Sequence, residues 1–161
     1  MKKLNKILLL GNPKLHQVSE MVSKSEVEGL KEAISDLSDI LNEFKAAYGA
    51  GRAIAAPQIG VMKRIIFMNI DRPVVMFNPV LSDLSEEMFE IWDDCMCFPN
   101  LFVKVKRHKS LKLKFWDENW IEQEWQLEDS LSELIQHEYD HLDGILATQR
   151  AIDDKSFAWR K

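Results

Sequence analysis

The segment H-E-Y-D-H at residues 137–141 is the sequence feature that most constrains what this chain can fold into. On an α-helix, His137 and His141 stand one turn apart on the same face, with Glu138 beside them. Two neutral imidazoles can hold a divalent cation, and a cation with an open position lowers the pKa of its bound water to about 7. The motif therefore predicts a metal site with a carboxylate placed to move a proton.

The sequence around the motif favours a helix. Ser130 and Glu133 have the spacing of a capping box, and Gly144 is typical of a helix end. We expect the helix to run from about Leu131 to Asp143. Its apolar positions recur at helical spacing and are Leu131, Leu134, Ile135, Leu142 and Ile145.

A third metal ligand is needed, because catalytic zinc-type sites use three protein ligands and leave one position for water. Downstream of His141, the metzincin pattern would require a histidine where Ala147 stands, and no glutamate follows. Upstream, Cys95 lies in W-D-D-C-M-C-F-P at residues 92–99, and a thiolate is a strong metal ligand. We expect Cys95, His137 and His141 to bind the metal.

Three separated segments resemble motifs of the peptide deformylase family. Residues 136–144, Q-H-E-Y-D-H-L-D-G, match the family pattern Q-H-E-x-D-H-L-x-G throughout, and two other segments match in part. Residues 51–58, G-R-A-I-A-A-P-Q, resemble G-Φ-G-Φ-A-A-x-Q, and residues 93–97, D-D-C-M-C, resemble E-G-C-L-S. The chain is similar to a peptide deformylase over nearly its whole length. This resemblance implies an α+β fold with antiparallel β-sheets around a central metal-binding helix, in one catalytic domain over residues 1–161.

The resemblance also implies a reaction. Peptide deformylases are metal-dependent hydrolases that remove the N-formyl group from the N-terminal methionine of nascent peptides and release formate. The family's ligands carry over to the three residues named above, and its general base and acid to Glu138. Its oxyanion donors carry over to the Gln58 amide and the Met96 backbone N–H. Fe²⁺ is the expected metal, and Zn²⁺, Ni²⁺ or Co²⁺ could occupy the same ligands.

The sequence departs from the family where the substrate groove is expected. Ala53 and Asp94 replace glycines, and Arg52 replaces an apolar residue beside the pocket for the first substrate side chain. Glu133, one turn before His137, could reach the same pocket. A charged pocket would disfavour methionine. In the alternative, Arg52 and Glu133 reach solvent or pair with each other and leave the pocket apolar.

Asp93 stands where the resemblance places the family's glutamate. We expect it to pair with Arg107 and to orient the metal-binding segment. The alternative is a solvated acid.

Three other functions remain open. Cys97 could join the expected ligands in a closed Cys2His2 structural zinc site without a water position. The chain could instead be a small metallopeptidase, or a deformylase-like protein that binds metal and peptide but turns over slowly.

Composition limits the partners and the location. A net charge of −5 over 161 residues gives no basic surface for nucleic acid. We interpret a local basic cluster as a solvated strand face, with docking to the ribosome as the alternative. Two cysteines fit a reducing cytoplasm, and the apolar run Ile7–Leu10 is too short for a signal peptide, so we expect neither export nor a membrane span. The basic cluster is Lys104, Lys106, Arg107, His108 and Lys109.

Other elements follow from spacing and turn residues. Ser25 and Glu28 form a second expected capping box, which opens a helix with an apolar face from Val27 to Phe44. Gly49 and Gly51 are expected to end this helix. Strands are expected at Arg64–Ile70, Val74–Leu81, Met88–Trp92, Leu101–Val105, Lys109–Trp116 and Trp120–Leu127.

The open and closed metal sites differ in their need for Cys97. We expect Cys97→Ser to keep its bound metal and its hydrolytic activity, because an open site has its protein ligands without this thiol. Metal analysis of the purified variant checks this, with Cys95→Ser as the control that loses the metal. Loss of metal from Cys97→Ser would contradict the open site.

Overall fold

Two sheets and two α-helices make up the fold, in a computed structural model that describes residues 3–161. The first two residues of the expected domain lie outside the described residues. The helices are α1 (Lys31–Tyr48) and α2 (Asp129–Leu142). The strands are β1 (Ala53–Ala55), β2 (Ile65–Asn69), β3 (Pro73–Ser82), β4 (Met88–Asp93), β5 (Leu101–His108), β6 (Ser110–Trp116), β7 (Glu122–Glu128) and β8 (Phe157–Trp159).

All strand pairs are antiparallel. One sheet has the order β1-β2-β3-β6-β7, and the other has the order β4-β5-β8. The expected α+β fold with antiparallel sheets is confirmed. The six expected strands are all present with somewhat shifted ends, whereas β1 and β8 were missed. Each of these has only 3 residues, too few to establish an alternating pattern.

The expected capping box of α1 is wrong. Ser23 and Glu26 form that box instead, with the Ser23 N–H donating to Glu26 Oε1 at 3.0 Å. Two 3-10 turns follow before α1 begins at Lys31. The helix ends at Gly49 in the left-handed conformation, as expected. Its buried apolar face packs in the core through Leu37, Ile40, Leu41 and Phe44.

The expected capping box of α2 is also wrong. The helix begins at Asp129, two residues before the expected start, and no side chain caps it. Glu133 does not bond back to the first turn, because its carboxylate accepts a hydrogen bond from Arg52. The tertiary contact thus replaces the local one.

Helix α2 lies between the two sheets, where it contacts β1 and β7 of the larger sheet and β5 of the smaller. Its residues from Ser132 to Glu138 are all buried. A helix covered on both sides can carry polar side chains only if they are paired, so the motif residues must find partners. Within residues 3–161, neither helix has the length and hydropathy needed to cross a membrane.

Gly144 follows the end of α2, in a corner where it is tightly packed against another backbone segment. Its φ is +73°, and a Cβ built on it would lie 2.5 Å from the carbonyl carbon and oxygen of His16. The crossing backbone cannot move away easily, because Ser19 N–H donates to Leu142 O at 2.8 Å. The glycine therefore allows the N-terminal segment to cross the end of the metal-binding helix.

We expect Gly144→Ala to destabilise the protein more than Gly49→Ala. Both glycines have positive φ, which costs alanine about 1–2 kcal/mol, but a Cβ on Gly49 meets nothing within 4 Å. The overlap at Gly144 adds about 1–3 kcal/mol. Denaturant unfolding of both variants measures the difference, and equal losses of stability would contradict the packing described for this corner.

Candidate metal centre

Three side chains from two parts of the chain converge beside α2. Cys95 follows β4 in a turn closed by the hydrogen bond from Phe98 N–H to Cys95 O at 3.1 Å. His137 and His141 project from α2. One ligand atom from each of these three residues lies within 4.8 Å of the other two, and all three residues are buried.

The donor atoms fit a divalent cation. Cys95 Sγ lies 3.4 Å from His141 Nε2. Two atoms that bind one ion tetrahedrally at 2.0–2.3 Å lie about 3.5 Å apart. His137 Nδ1 is engaged by Asp93 at 2.8 Å, so its Nε2 remains for an ion. The thiolate and two imidazoles suit a transition metal rather than calcium or magnesium.

Cys97 is not a member of this ligand group. Its sulfur accepts a hydrogen bond from Gln58 Nε2 at 3.5 Å and also interacts with the Cys95 thiol. Burial raises the pKa of the Cys95 thiol, whereas a bound cation would favour the thiolate. The geometry thus favours a site with three protein ligands over the closed Cys2His2 alternative.

Asp93 links the first histidine to a buried arginine. Its Oδ2 lies 2.8 Å from His137 Nδ1 and 3.1 Å from Arg107 Nη2. Burial disfavours the Asp93 carboxylate, but the charges of His137 and Arg107 outweigh burial and lower its pKa to about 2. Burial likewise disfavours charged His137, yet Asp93 raises the His137 pKa to about 9. A carboxylate in this position orients the imidazole and makes it a more basic ligand.

Arg107 connects the Asp93–His137 pair to Asp140, a residue of the helical motif. Arg107 Nη1 donates to Asp140 Oδ2 at 2.8 Å, and Arg150 Nε donates to the same oxygen at 2.7 Å. Gln136 attaches the helix to β5, because its amide both accepts from His108 N–H and donates to His108 O, each at 2.9 Å. Sequence reasoning gave no role to Gln136, Asp140 or Arg150, whereas it expected Arg107 to pair with Asp93.

The sequence offered one signal for two of these residues, which was position within the matched motif. Asp140 and Gln136 belong to the matched motif, but nothing local identifies Arg150 as the distant partner. Arg107 also corrects the expected solvated basic face, since it is only 2% exposed. Alternation along β5 explains the difference, because Arg107 lies on the same face as the buried Val103 and Val105.

Glu138 is buried beside the ligands with 2% exposure. Burial raises its pKa to about 7, and the charge of His137 opposes this shift. A carboxyl with a pKa near the ambient pH can both accept and return a proton. Burial lowers the pKa of His141, so this imidazole is neutral, as a metal ligand must be.

Gln58 is oriented by its own backbone turn. Its Oε1 accepts from Ala55 N–H at 2.8 Å, which leaves Nε2 facing Cys95 Sγ at 3.6 Å. The Met96 N–H, in the adjacent turn, donates to no backbone carbonyl within residues 3–161. Both groups are therefore N–H donors beside the ligand group.

One cavity brings together two of the three expected metal ligands and the expected substrate residues. Arg52, Ala53, Asp94 and Glu133 all line it, together with Cys95, His137 and Glu138. Arg52 and Glu133 do pair, with Nη2 and Oε1 2.7 Å apart. Asp94 forms an ion pair with Arg160, near the C-terminus. The pairing leaves the Arg52 and Glu133 side chains in the cavity wall, so the wall is not purely apolar.

A thiolate, two helical imidazoles and a buried carboxyl define a metallohydrolase type of site, and comparison with known proteins gives its family. The polypeptide deformylase family model matches residues 4–157. Peptide deformylase 1 of Prochlorococcus marinus is 34% identical over 168 residues, covering 97% of this chain and 85% of the relative. The peptide deformylase of Pseudothermotoga lettingae is 35% identical over 158 residues, covering 98% of this chain and 89% of the relative.

The fold is similar as well. The crystal structure of peptide deformylase from Thermotoga maritima superposes with a TM-score of 0.83 at 30% identity, covering 91% of this chain and 97% of that one. This chain belongs to the polypeptide deformylase family. Family membership and the cysteine–histidine site together support a divalent metal ion.

The Asp93 contact predicts a measurable loss of metal affinity. We expect Asp93→Asn to weaken Zn²⁺ binding by about 10–100-fold, because the neutral amide no longer makes His137 more basic. Competition with a chromophoric chelator measures the affinity. Asp94→Asn is the matched control, since its carboxylate pairs with Arg160 and not with a ligand. Equal affinities of the two variants would contradict the role of Asp93.

Proposed function

We propose that this chain hydrolyses the N-formyl group from the N-terminus of nascent peptides, with methionine as the family's expected first residue, and releases formate. Membership of the polypeptide deformylase family supports this activity. The observation that carries the proposal is the convergence of Cys95, His137 and His141 beside the buried Glu138. This combination supplies a ligand set and a proton carrier, and Cys95, His137 and Glu138 line the same cavity.

The three ligands would hold Fe²⁺, and Zn²⁺, Ni²⁺ or Co²⁺ could take the same place. A bound divalent ion supplies an acidified water and a positive charge beside the formyl oxygen. His141 is neutral, whereas His137, which Asp93 orients, would release a proton when the ion binds. Arg107 and Asp140 support this arrangement by holding Asp93 in place.

Glu138 takes the proton from the attacking water and passes it to the nitrogen of the departing amine. Its pKa of about 7 suits both halves of this transfer at neutral pH. The attacking water would lie in the cavity that the carboxyl lines. Burial keeps bulk water from competing for the same proton.

Gln58 and Met96 stabilise the negative charge that forms on the formyl oxygen. The Gln58 amide is oriented by its bond to Ala55, and its Nε2 would donate to the formyl oxygen in place of a contact with a cysteine sulfur. The Met96 N–H donates to no backbone carbonyl in the described part of the chain and can donate to the substrate. Removal of one such donor typically raises the barrier by about 2.7–4 kcal/mol.

The proposed setting is the reducing cytoplasm, where nascent peptides emerge and where the free Cys95 and Cys97 are stable. The basic side chains on the outer face of β5, including Lys104 and Lys106, would be the surface that meets the ribosome. A peptidase reaction is the second candidate, and it would release internal peptide fragments instead of formate.

We expect Glu138→Gln to lose about 10²–10⁴-fold in the rate of formate release while it keeps its metal, because the amide cannot carry a proton. Formyl-Met-Ala-Ser is the substrate, and metal content is measured on the same preparation. Glu128→Gln is the matched control at an exposed carboxylate. Full activity of Glu138→Gln would show that another group carries the proton, whereas an inactive wild type would contradict the proposed reaction.

A further inference from the structure

The cavity beside the metal ligands has a volume of about 110 Å³ and an unusual wall. Its lining includes the apolar side chains of Phe44 and Leu134, which can hold an aliphatic stem. It also includes the Arg52–Glu133 ion pair. A substrate side chain that enters this cavity must therefore meet charged groups.

Glu133 has an unused acceptor. It lies one turn before His137 on α2, and its side chain is only 9% exposed. Arg52 donates to its Oε1 at 2.7 Å, whereas Oε2 accepts no hydrogen bond within residues 3–161. Glu133 lines the cavity, so we place this free acceptor among the groups that a bound side chain would meet.

Arg52 is held in place from two sides. Its Nη1 donates to Ser130 O at 3.3 Å, and its Nη2 donates to Glu133. These contacts fix the guanidinium at the edge of the cavity, with the side chain 43% exposed. Its Nε donates to no acceptor in the part of the chain that the structure describes, so the ion pair retains an unused donor as well as an unused acceptor.

We infer that Arg52 and Glu133 select a first substrate side chain that forms hydrogen bonds, above all a carboxamide, in preference to the thioether of methionine. This inference rests on the proposed function. A carboxamide N–H donates to Glu133 Oε2 while its oxygen accepts from Arg52. A thioether displaces water from the carboxylate without replacing the hydrogen bond. Sites built around such a polar group reject analogues that lack the partner.

The test compares two substrates in two proteins. The quantity is the ratio of kcat/KM for formyl-Gln-Ala-Ser to kcat/KM for formyl-Met-Ala-Ser. The double variant Arg52→Leu, Glu133→Leu removes the ion pair and should lower this ratio at least fivefold. A smaller change overturns the inference. The double variant Lys112→Leu, Glu124→Leu removes an ion pair between β6 and β7 and serves as the matched control.

A second variant tests the inference if the double variant folds poorly. Glu133→Met conserves length and leaves the half-exposed Arg52 hydrated, and it should lower the ratio in the same direction by at least fivefold. The product peptides Gln-Ala-Ser and Met-Ala-Ser give the comparison without turnover, through calorimetric affinities for the Zn²⁺-loaded proteins. If neither substrate releases formate, the proposed function is contradicted but the inference is not. The ratio of the two product affinities then decides the inference by the same fivefold criterion.

Discussion

The hydrogen bond between Asp93 and His137 is the interaction on which the site depends. It joins the end of β4 to α2 and fixes which imidazole nitrogen faces the ligand group. Because both residues are buried, neither charge is stable alone, and Arg107 supplies the compensating charge. Asp140 and Arg150 extend this compensation to the protein surface. The metal centre is therefore one part of a paired buried network.

The two sheets supply different parts of the site because α2 lies between them. The smaller sheet brings the segment that carries Asp93 and Cys95, whereas β1 of the larger sheet leads into the turn that carries Gln58. The N-terminal segment connects these two segments, since Leu8 N–H donates to Gln58 O and Leu10 N–H donates to Cys97 O. Residues 8–10 therefore have a structural role at the site.

The departures from the family motifs are paired charges rather than isolated ones. Arg52 pairs with Glu133 and Asp94 pairs with Arg160, so each new charge gains a partner from a distant part of the chain. Pairing reduces the cost of placing charge beside the cavity but leaves unused hydrogen-bonding groups there. In our proposals, the reaction chemistry and the selection of the substrate side chain depend on different residues.

The sequence by itself determined the metal-binding helix, six of the strands and the three candidate ligands. Helical spacing brings His137 and His141 together without tertiary information, and alternation identifies strands long enough to show it. Only the tertiary structure decided that Glu133 pairs with Arg52 and not with the first turn of its own helix, and that Arg107 and Arg150 both donate to Asp140. These contacts join residues far apart in the chain, and burial selects them over local alternatives such as the capping box, because a buried charge must be paired wherever its partner lies.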